Sequence, residues 1–406
     1  MARRTTQHQT RVGPTSPSAL RSGPLDVDAL LADRKTGIIV CCGAGGVGKT
    51  TTSAALALRA AEQGRRVVVL TIDPARRLAQ SMGIEALDNT PRPVQDVAGD
   101  GRLDAMMLDM KRTFDEVVES QASPEKAQQI LANPFYVALS SSFAGTQEYM
   151  AMEKLGQIYR DAQQTGSYDL IIVDTPPSRS ALDFLDAPER LSSFLDGRFV
   201  RLMMAPARGP AKLMTAGFSL ITNSLTKILG AQFLKDLQMF VSALDTVFGG
   251  FRQRAQQTYS LLQADGTAFL VVAAPEPDAL REAAYFVERL SEDGMPLAGL
   301  IVNRASPVAE STLPAEEALS GAGRLRHDAG GSVAAGLLRL HADRMQLIER
   351  ERKLRDRFAT AHPQVPTAVV PALAGDVHDL AGLRRIGELL AQAGSATADG
   401  AAGRLL

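Results

Sequence analysis

The segment Gly43-Ala44-Gly45-Gly46-Val47-Gly48-Lys49-Thr50 constrains the fold more than any other part of the chain, because it matches the pattern G-x-x-x-x-G-K-[ST]. An apolar run at residues 37–42 precedes it, and an Ala-rich helical pattern at residues 50–63 follows it, with Gly64 as the expected stop. In such a strand–loop–helix unit the glycines let backbone N–H groups converge on phosphate oxygens, and the helix N-terminus adds partial positive charge. Lys49 is then placed to reach the β- and γ-phosphates, and the Thr50 hydroxyl to contact Mg²⁺. The segment predicts a site for a nucleoside triphosphate.

Short apolar runs alternate with helical patterns along the rest of the chain. Nearly continuous apolar runs are typical of strands that are covered on both faces of a parallel sheet. We therefore predict an α/β fold, a doubly wound and mostly parallel sheet of the P-loop NTPase type. Two long segments interrupt the alternation, at about residues 111–165 and 186–262, and we predict both to be helical insertions. Besides 37–42, the predicted strands are residues 66–71, 105–108, 170–173, 269–273, 300–302 and 368–370.

The ends of the chain differ in composition from its centre. Residues 1–34 contain several arginines among Pro, Gly, Ser and Thr, so we expect a disordered basic tail rather than a transit peptide. A single domain is expected over residues 35–392, with a flexible tail at 393–406 and a long mobile connection at about 305–332.

Bulk composition limits the partners and the compartment. The formal net charge is −1, which argues against binding to nucleic acid or to an anionic membrane through a global field. The two cysteines, Cys41 and Cys42, are adjacent in the first predicted strand, so they predict buried thiols and no disulfide framework. The chain has neither an apolar run of membrane-spanning length nor the apolar core of a secretory signal. The expected location is the cytoplasm.

Two acids follow predicted strands and suit the chemistry of a triphosphate. Asp174 ends the run Leu170-Ile171-Ile172-Val173, where it would hold Mg²⁺ through water, and the rigid Thr175-Pro176-Pro177 follows. Asp73, fixed by Pro74 after the strand at 66–71, is placed to orient an attacking water. The alternative for each is an acid that merely terminates a strand.

The end of the strand at 300–302 bears on the choice of base. Guanine-specific enzymes of this general fold use Asn-Lys-x-Asp, whose Asp accepts from two guanine donors. Here Asn303 is followed by Arg304-Ala305-Ser306 and no Asp, so ATP is favoured over GTP. Asn303 offers a donor and an acceptor to the adenine edge, although an Asn that caps a strand end is the simpler reading.

Eight short motifs follow one another along the chain, at residues 43–50, 73–75, 103–109, 145–148, 174–177, 275–277, 302–303 and 370–371. In this order they resemble the motifs of the ArsA-type ATPases, which include the arsenite-pump ATPase and the ATPases that deliver tail-anchored proteins. The resemblance covers roughly residues 36–392 and implies a Mg·ATP-dependent dimer in which Asp73 orients water and Asn303 and Pro371 frame adenine. It also implies that the helical segments form a surface for a client protein, although Met- and Phe-rich helical stripes such as that at 240–251 are more often plain core.

Together the residues and the resemblance define a candidate site. Asp73 and Lys49 are the candidate catalytic residues, and Thr50 and Asp174 are the candidate Mg²⁺ ligands. The candidate nucleotide-binding residues are Gly43, Ala44, Gly45, Gly46, Val47, Gly48, Lys49, Thr50, Thr51, Asn303 and Pro371.

The chain departs from the family pattern in three places. Relatives usually carry a lysine where Ala44 stands, and that lysine reaches the partner's phosphates; Arg76, Arg77 or Arg179 in cis, or a paralogous partner in trans, would have to replace it. Residues 174–179 lack the usual Thr-Gly-His continuation. With only two core cysteines, neither arsenite binding of the known kind nor interfacial zinc is expected.

The leading hypothesis is an ATP-hydrolysing dimeric switch, formed by two identical chains or by paralogues, that captures a hydrophobic or membrane-associated client protein. A regulatory or scaffolding subunit that binds ATP but turns it over negligibly is the alternative, because Ala44 removes a cation. A DNA-partition ATPase is disfavoured by the net charge of −1. A small-molecule kinase is disfavoured by the long apolar helical insertions.

Overall fold

An eight-stranded sheet forms the centre of the molecule in the computed structural model, which describes residues 23–73, 77–134, 136–137, 140, 146–176, 250–307, 313–325 and 332–402. The strand order is β3-β4-β2-β5-β1-β6-β7-β8, and every neighbouring pair is parallel except β3 with β4. The predicted doubly wound, mostly parallel sheet is confirmed. The strands are β1 Ile38–Cys42, β2 Arg66–Thr71, β3 Arg92–Pro93, β4 Arg102–Met107, β5 Leu170–Asp174, β6 Thr267–Ala273, β7 Leu297–Ala305 and β8 Thr367–Pro371.

Helices cover both faces of the sheet. The side chains of β1 alternate between two apolar clusters: Ile38 and Val40 lie in one, and Ile39 and Cys41 in the other. Burial on both faces explains why the strands appear in the sequence as unbroken apolar runs. The described helices are α1 Val27–Ala32, α2 Lys49–Glu62, α3 Arg77–Ser81, α4 Met110–Gln121, α5 Pro124–Leu131, α6 Thr146–Thr165, α7 Phe251–Leu262, α8 Pro277–Glu292, α9 Ala315–Leu325, α10 Ser332–Ala361 and α11 Leu380–Ala402.

Strand β1 lies at the point where the connections of the sheet diverge. It pairs with β5 on one side and with β6 on the other, while β2 and β4 lie beyond β5, and β7 and β8 lie beyond β6. Ligands of open α/β sheets bind at the carboxyl ends of the strands at such a switch point. The loop between β1 and α2 therefore opens where β2, β5 and β7 also end.

The packed part of the chain begins before the expected boundary at residue 34. Helix α1 has Val27 and Leu31 fully buried, Asp26 Oδ1 accepts a hydrogen bond from Ala29 N at 2.9 Å, and Leu25 N donates to Thr367 O at 3.2 Å. A capped six-residue helix of this kind is stabilised by its contacts with α2 and α11 rather than by its own propensity. Residues 1–22 of the expected tail lie outside the described residues.

Two other segments also differ from expectation. The connection expected to be mobile at 305–332 contains α9, whose Ala318 and Ala322 are buried and which packs on α10. Helix α11 continues to Ala402, past the expected start of the flexible tail at 393, where five of the ten residues 393–402 are Ala, the strongest helix former. The two-residue edge strand β3 has no sequence signal.

The first predicted insertion, about residues 111–165, is helical in its described parts, α4, α5 and α6. The second, about residues 186–262, lies mostly outside the described residues, and only its end, α7, is described. Arg76, Arg179, Gly145, Pro177 and the Met and Phe residues between 203 and 248 lie outside the described residues.

Candidate functional site

The glycine-rich loop is shaped by close approaches that only glycine permits. Gly43 has φ 142°, and a Cβ there would come within 2.0 Å of Val272 O on β6. Gly48, the N-cap of α2, has φ 93°, and a Cβ there would lie 2.3 Å from Asn303 Nδ2. The left-handed backbone at Gly48 lets the chain turn directly into the helix, whose N-terminus then faces the opening of the loop.

Lys49 is folded over its own loop. Its side chain is buried, and Nζ donates to Gly43 O at 2.9 Å and to Ala44 O at 2.8 Å. Burial lowers the pKa of Lys49, while the nearby Asp174 carboxylate opposes that shift. The ammonium therefore lies at the loop, held by two neutral carbonyl groups that a phosphate anion would outcompete as acceptors.

Asp174 is buried under the loop. Its Oδ2 accepts hydrogen bonds from Thr50 Oγ1 at 2.7 Å and from Thr71 Oγ1 at 2.9 Å. Its Oδ1 is buried and accepts a hydrogen bond from no described residue. Burial raises the pKa of Asp174 to about 6, although the two hydroxyl donors and Lys49 act against that shift.

These residues fit a Mg²⁺ ion. Oxygen ligands are what Mg²⁺ prefers, and it usually binds through one or two protein groups, several waters and substrate phosphates. The Thr50 hydroxyl and the unpartnered Oδ1 of Asp174 supply such oxygens beside the loop. Among the described residues, no group of three or more His, Cys, Asp or Glu forms an all-protein metal cage. The donor set suits an ion held jointly with a phosphate.

A cavity of about 560 Å³ opens above the loop, and we call it the loop cavity. Asp73 lies on its wall, half-buried, with its backbone N donating to Thr71 Oγ1 at 3.2 Å. Thr175, which donates through Oγ1 to Cys41 O at 2.8 Å, lies on the same wall. Asp73 and Lys49 thus share one cavity. It is lined by Gly46, Gly48, Lys49, Thr50, Thr51, Asp73, Arg77, Gln80, Ser81, Thr175, Arg304, Asp376, Val377 and His378.

A second cavity of about 420 Å³ adjoins the first, and we call it the side cavity. Asn303 and Pro371 line it, together with Thr51 and the residues that follow β8. Asn303 is buried, and its Nδ2 donates to Val47 O at 2.9 Å. The predicted site residues Asn303, Pro371 and Thr51 are therefore brought together at one opening beside the loop. Gly43, Ala44, Gly45 and Val47 line neither cavity; the carbonyl groups of Gly43 and Ala44 accept from Lys49, and that of Val47 accepts from Asn303.

Comparison with known proteins identifies the family of the chain. The sequence profile of the anion-transporting ATPase family matches residues 36–318. The chain belongs to this family. It is 28% identical over 311 residues to an arsenical pump-driving ATPase of Acidiphilium multivorum, covering 75% of this chain and 45% of that protein. It is 26% identical over 288 residues to the ATPase GET3 of Malassezia globosa (69% and 76%), and 25% identical over 307 residues to the ATPase GET3B of Arabidopsis thaliana (70% and 68%).

The resemblance to ArsA-type ATPases is thereby confirmed, with one difference in size. The match covers 45% of the length of the arsenical pump-driving ATPases of Acidiphilium multivorum and Escherichia coli, and 63% of a putative one of Aquifex aeolicus. None of its described helices combines the length and the apolar composition needed to cross a bilayer.

In this member of the anion-transporting ATPase family, several site residues carry no motif of their own. Thr71 ends β2 and bonds Asp174, Arg304 directly follows Asn303, and residues 376–378 lie five to seven positions beyond Pro371. What they share is a position at the carboxyl end of a strand or in the segment that follows it, where ligands of open α/β sheets bind. Arg77, one of the arginines considered as a cis cation, does line the loop cavity.

The two cysteines lie below the loop in β1. Both thiols are buried, and burial raises the pKa of each, to about 12 for Cys41. Thiols with such pKa values are not ionised at neutral pH and are poor metal ligands.

Proposed function

We propose that the protein binds Mg·ATP in the two joined cavities and hydrolyses it. The observation that carries the proposal is the pair of hydrogen bonds by which Thr50 and Thr71 orient Asp174. Its other oxygen, Oδ1, has no hydrogen-bond partner among the described residues and lies beside a glycine loop that opens at the switch point of the sheet. A bound Mg²⁺ would neutralise phosphate charge and fix the orientation of the phosphates. Thr50 would contact the ion directly, and Asp174 would hold it through water.

The roles of the other residues follow from their positions. Lys49 exchanges two carbonyl acceptors for the β- and γ-phosphates and stabilises the charge that develops on them. Asp73 faces the same cavity, where its carboxylate orients the attacking water by accepting a hydrogen bond from it. Asn303 donates to Val47 O through Nδ2, which leaves Oδ1 to accept from the exocyclic amino group of adenine. Guanine has no donor at that position, which favours ATP over GTP.

We also propose that the protein works in the cytoplasm as a dimer, with an identical or a paralogous chain, and couples its nucleotide state to a client protein. The printed names of its relatives describe an arsenical pump-driving ATPase and GET3 ATPases. Position 44 is a buried alanine, and because its side chain is a methyl group the loop has no side-chain cation there. The same observation favours the alternative function, a regulatory subunit that binds ATP and hydrolyses it only with a paralogous partner.

Steady-state phosphate release by the wild-type chain, Asp73→Asn and Asp265→Asn tests the hydrolytic function. Asp265 is exposed and lines neither cavity, so Asp265→Asn controls for the loss of one charge. We expect wild-type turnover that requires Mg²⁺, a fall of roughly 10²- to 10⁴-fold in Asp73→Asn, and no change in Asp265→Asn. Wild-type protein that binds ATP and releases no phosphate alone would contradict autonomous hydrolysis and favour the regulatory subunit.

A further inference from the structure

Arg304 occupies an unusual position beside the loop. It follows Asn303 near the end of β7. Its backbone has φ 59°, a left-handed conformation that residues other than Gly, Asn and Asp rarely adopt. Its side chain is exposed, and Nη1 donates to Gly46 O at 3.0 Å. The strained backbone thus aims a cationic side chain across the outside of the loop. Residues held in such conformations concentrate at ligand sites.

Arg304 also lies where the two cavities meet. The residues that line both cavities are Gly48, Thr51, Arg304, Asp376 and Val377. With Lys49 and Thr50 beside the β- and γ-phosphates, and Asn303 and Pro371 beside the base, the α-phosphate falls at this junction. The polar groups there are the Thr51 hydroxyl, the Asp376 carboxylate and the Arg304 guanidinium, of which the guanidinium alone is positively charged.

The guanidinium has donors to spare. Arginine carries five N–H donors in a rigid fork that matches the geometry of a phosphate. In the described structure one of them bonds Gly46 O. The ammonium group of Lys49 is directed towards Gly43 O and Ala44 O, at the other end of the loop from Gly46.

We propose that Arg304 is a nucleotide-binding residue whose guanidinium contacts the α-phosphate at the junction of the two cavities. The inference rests on the proposed binding of ATP and adds a contact that the glycine-loop motif does not contain. A charge-assisted hydrogen bond of this kind contributes roughly 10- to 100-fold to affinity. Because ATP and ADP share the α-phosphate, the contact strengthens both equally.

The test measures dissociation constants of ATP and ADP, in the presence of Mg²⁺, by displacement of a fluorescent N-methylanthraniloyl-ADP. Arg304→Ala is expected to weaken both nucleotides by roughly 10- to 50-fold. Arg304→Lys retains the charge but not the fork and should fall between wild type and Arg304→Ala, whereas Arg304→Gln retains only a neutral donor for Gly46 O and should resemble Arg304→Ala. Arg339→Ala, at an exposed arginine of α10 outside both cavities, is the matched control and should bind as wild type.

Three results would overturn the inference. Unchanged affinities in Arg304→Ala would exclude the contact, and weakening of ATP alone would place it at the γ-phosphate. Wild-type affinities for both nucleotides in Arg304→Gln would show that Arg304 acts only by positioning the loop through its hydrogen bond to Gly46 O. Failure of the wild-type chain to bind either nucleotide would instead contradict the proposed function, so the two failures are distinguishable. If Arg304→Ala does not fold, the comparison of Lys with Gln still decides the question.

Discussion

Asp174, a candidate Mg²⁺ ligand, is buried in a way that lowers the stability of the metal-free protein at neutral pH. Its carboxylate is fully buried, and it receives two hydroxyl hydrogen bonds through Oδ2 and none from described residues through Oδ1. Burial raises its pKa from 3.8 to about 6. The folded chain therefore binds a proton more tightly than the unfolded chain between about pH 4 and pH 6. Above that window the metal-free native state contains a buried carboxylate whose charge is incompletely compensated.

Replacing Asp174 by Asn should therefore stabilise the metal-free protein at pH 8. A shift of about two pKa units corresponds to roughly 2 to 3 kcal/mol in the free energy of unfolding. The gain should shrink as the pH falls through 6 and vanish only well below 3.8, where wild-type Asp174 is protonated in both states. Urea unfolding of both proteins in EDTA at several pH values measures it. A gain that stays constant with pH, or Asp174→Asn less stable at pH 8, would contradict this account. The same variant should lose the stabilisation that Mg·ATP gives to wild type.

The sequence identifies some site residues and misses others for a physical reason. The loop at residues 43–50 and Asp174 are recognisable because their roles depend on neighbours in sequence: a glycine-rich turn, a following helix, a preceding apolar strand. Thr71 and Arg304 act through partners 103 and 258 residues away, Asp174 and Gly46. Their contacts exist only because β2, β5, β1 and β7 end at one edge, and no local pattern records which side chains meet there.

At the scale of elements, α1 is joined to the sheet by a buried arginine, Arg65, at the amino ends of the strands. Arg65, which precedes β2, is 1% exposed and forms an ion pair with Asp169 at 2.8 Å. Its guanidinium also donates to Leu31 O at 3.0 Å, to Thr36 O at 2.8 Å and to Asp169 O at 2.6 Å. One side chain thus joins the end of α1, the approach to β1 and the start of β5. Composition alone, with Pro and Gly on either side, hides α1 within an apparent tail.

Arg65→Ala should cost about 3 kcal/mol in the free energy of unfolding, because it leaves buried carbonyl groups without donors and removes a buried partner of Asp169. Arg34→Ala is the matched control: Arg34 pairs with the same Asp169 at 3.0 Å, but its side chain is 59% exposed. An exposed pair contributes less than about 1 kcal/mol. Chemical unfolding of both variants measures the difference, and ATP affinity should be unchanged in each. Equal losses from the two variants would contradict this account, because the buried hydrogen bonds of Arg65 to Leu31 O and Thr36 O would then add nothing to an ion pair with Asp169.

For the whole molecule, the single glycine loop bears on the proposed dimer. The sequence contains one glycine-loop motif, and its match covers 45% of an arsenical pump-driving ATPase. The proposed arrangement of two facing sites would draw one glycine loop from each of two copies of this sequence, or from this sequence and a paralogue. The fold class follows from sequence because alternation of strands and helices is a property of the whole chain. The number of chains does not, because it depends on surface side chains that carry no periodic signal.

Nucleotide should then control assembly. If the Mg·ATP state is the one that pairs, binding of ATP shifts the equilibrium towards the dimer by its difference in affinity for the two states. Asp73→Asn, which is expected to hydrolyse ATP slowly, should show twice the chain mass of 43.3 kDa by light scattering in Mg·ATP and a smaller dimer fraction in ADP. Lys49→Ala, which loses the main phosphate contact, should stay at the mass it has without nucleotide. If the mass of Asp73→Asn is the same with saturating Mg·ATP as without nucleotide, the result contradicts an ATP-dependent homodimer. A paralogous chain would then be the partner to test.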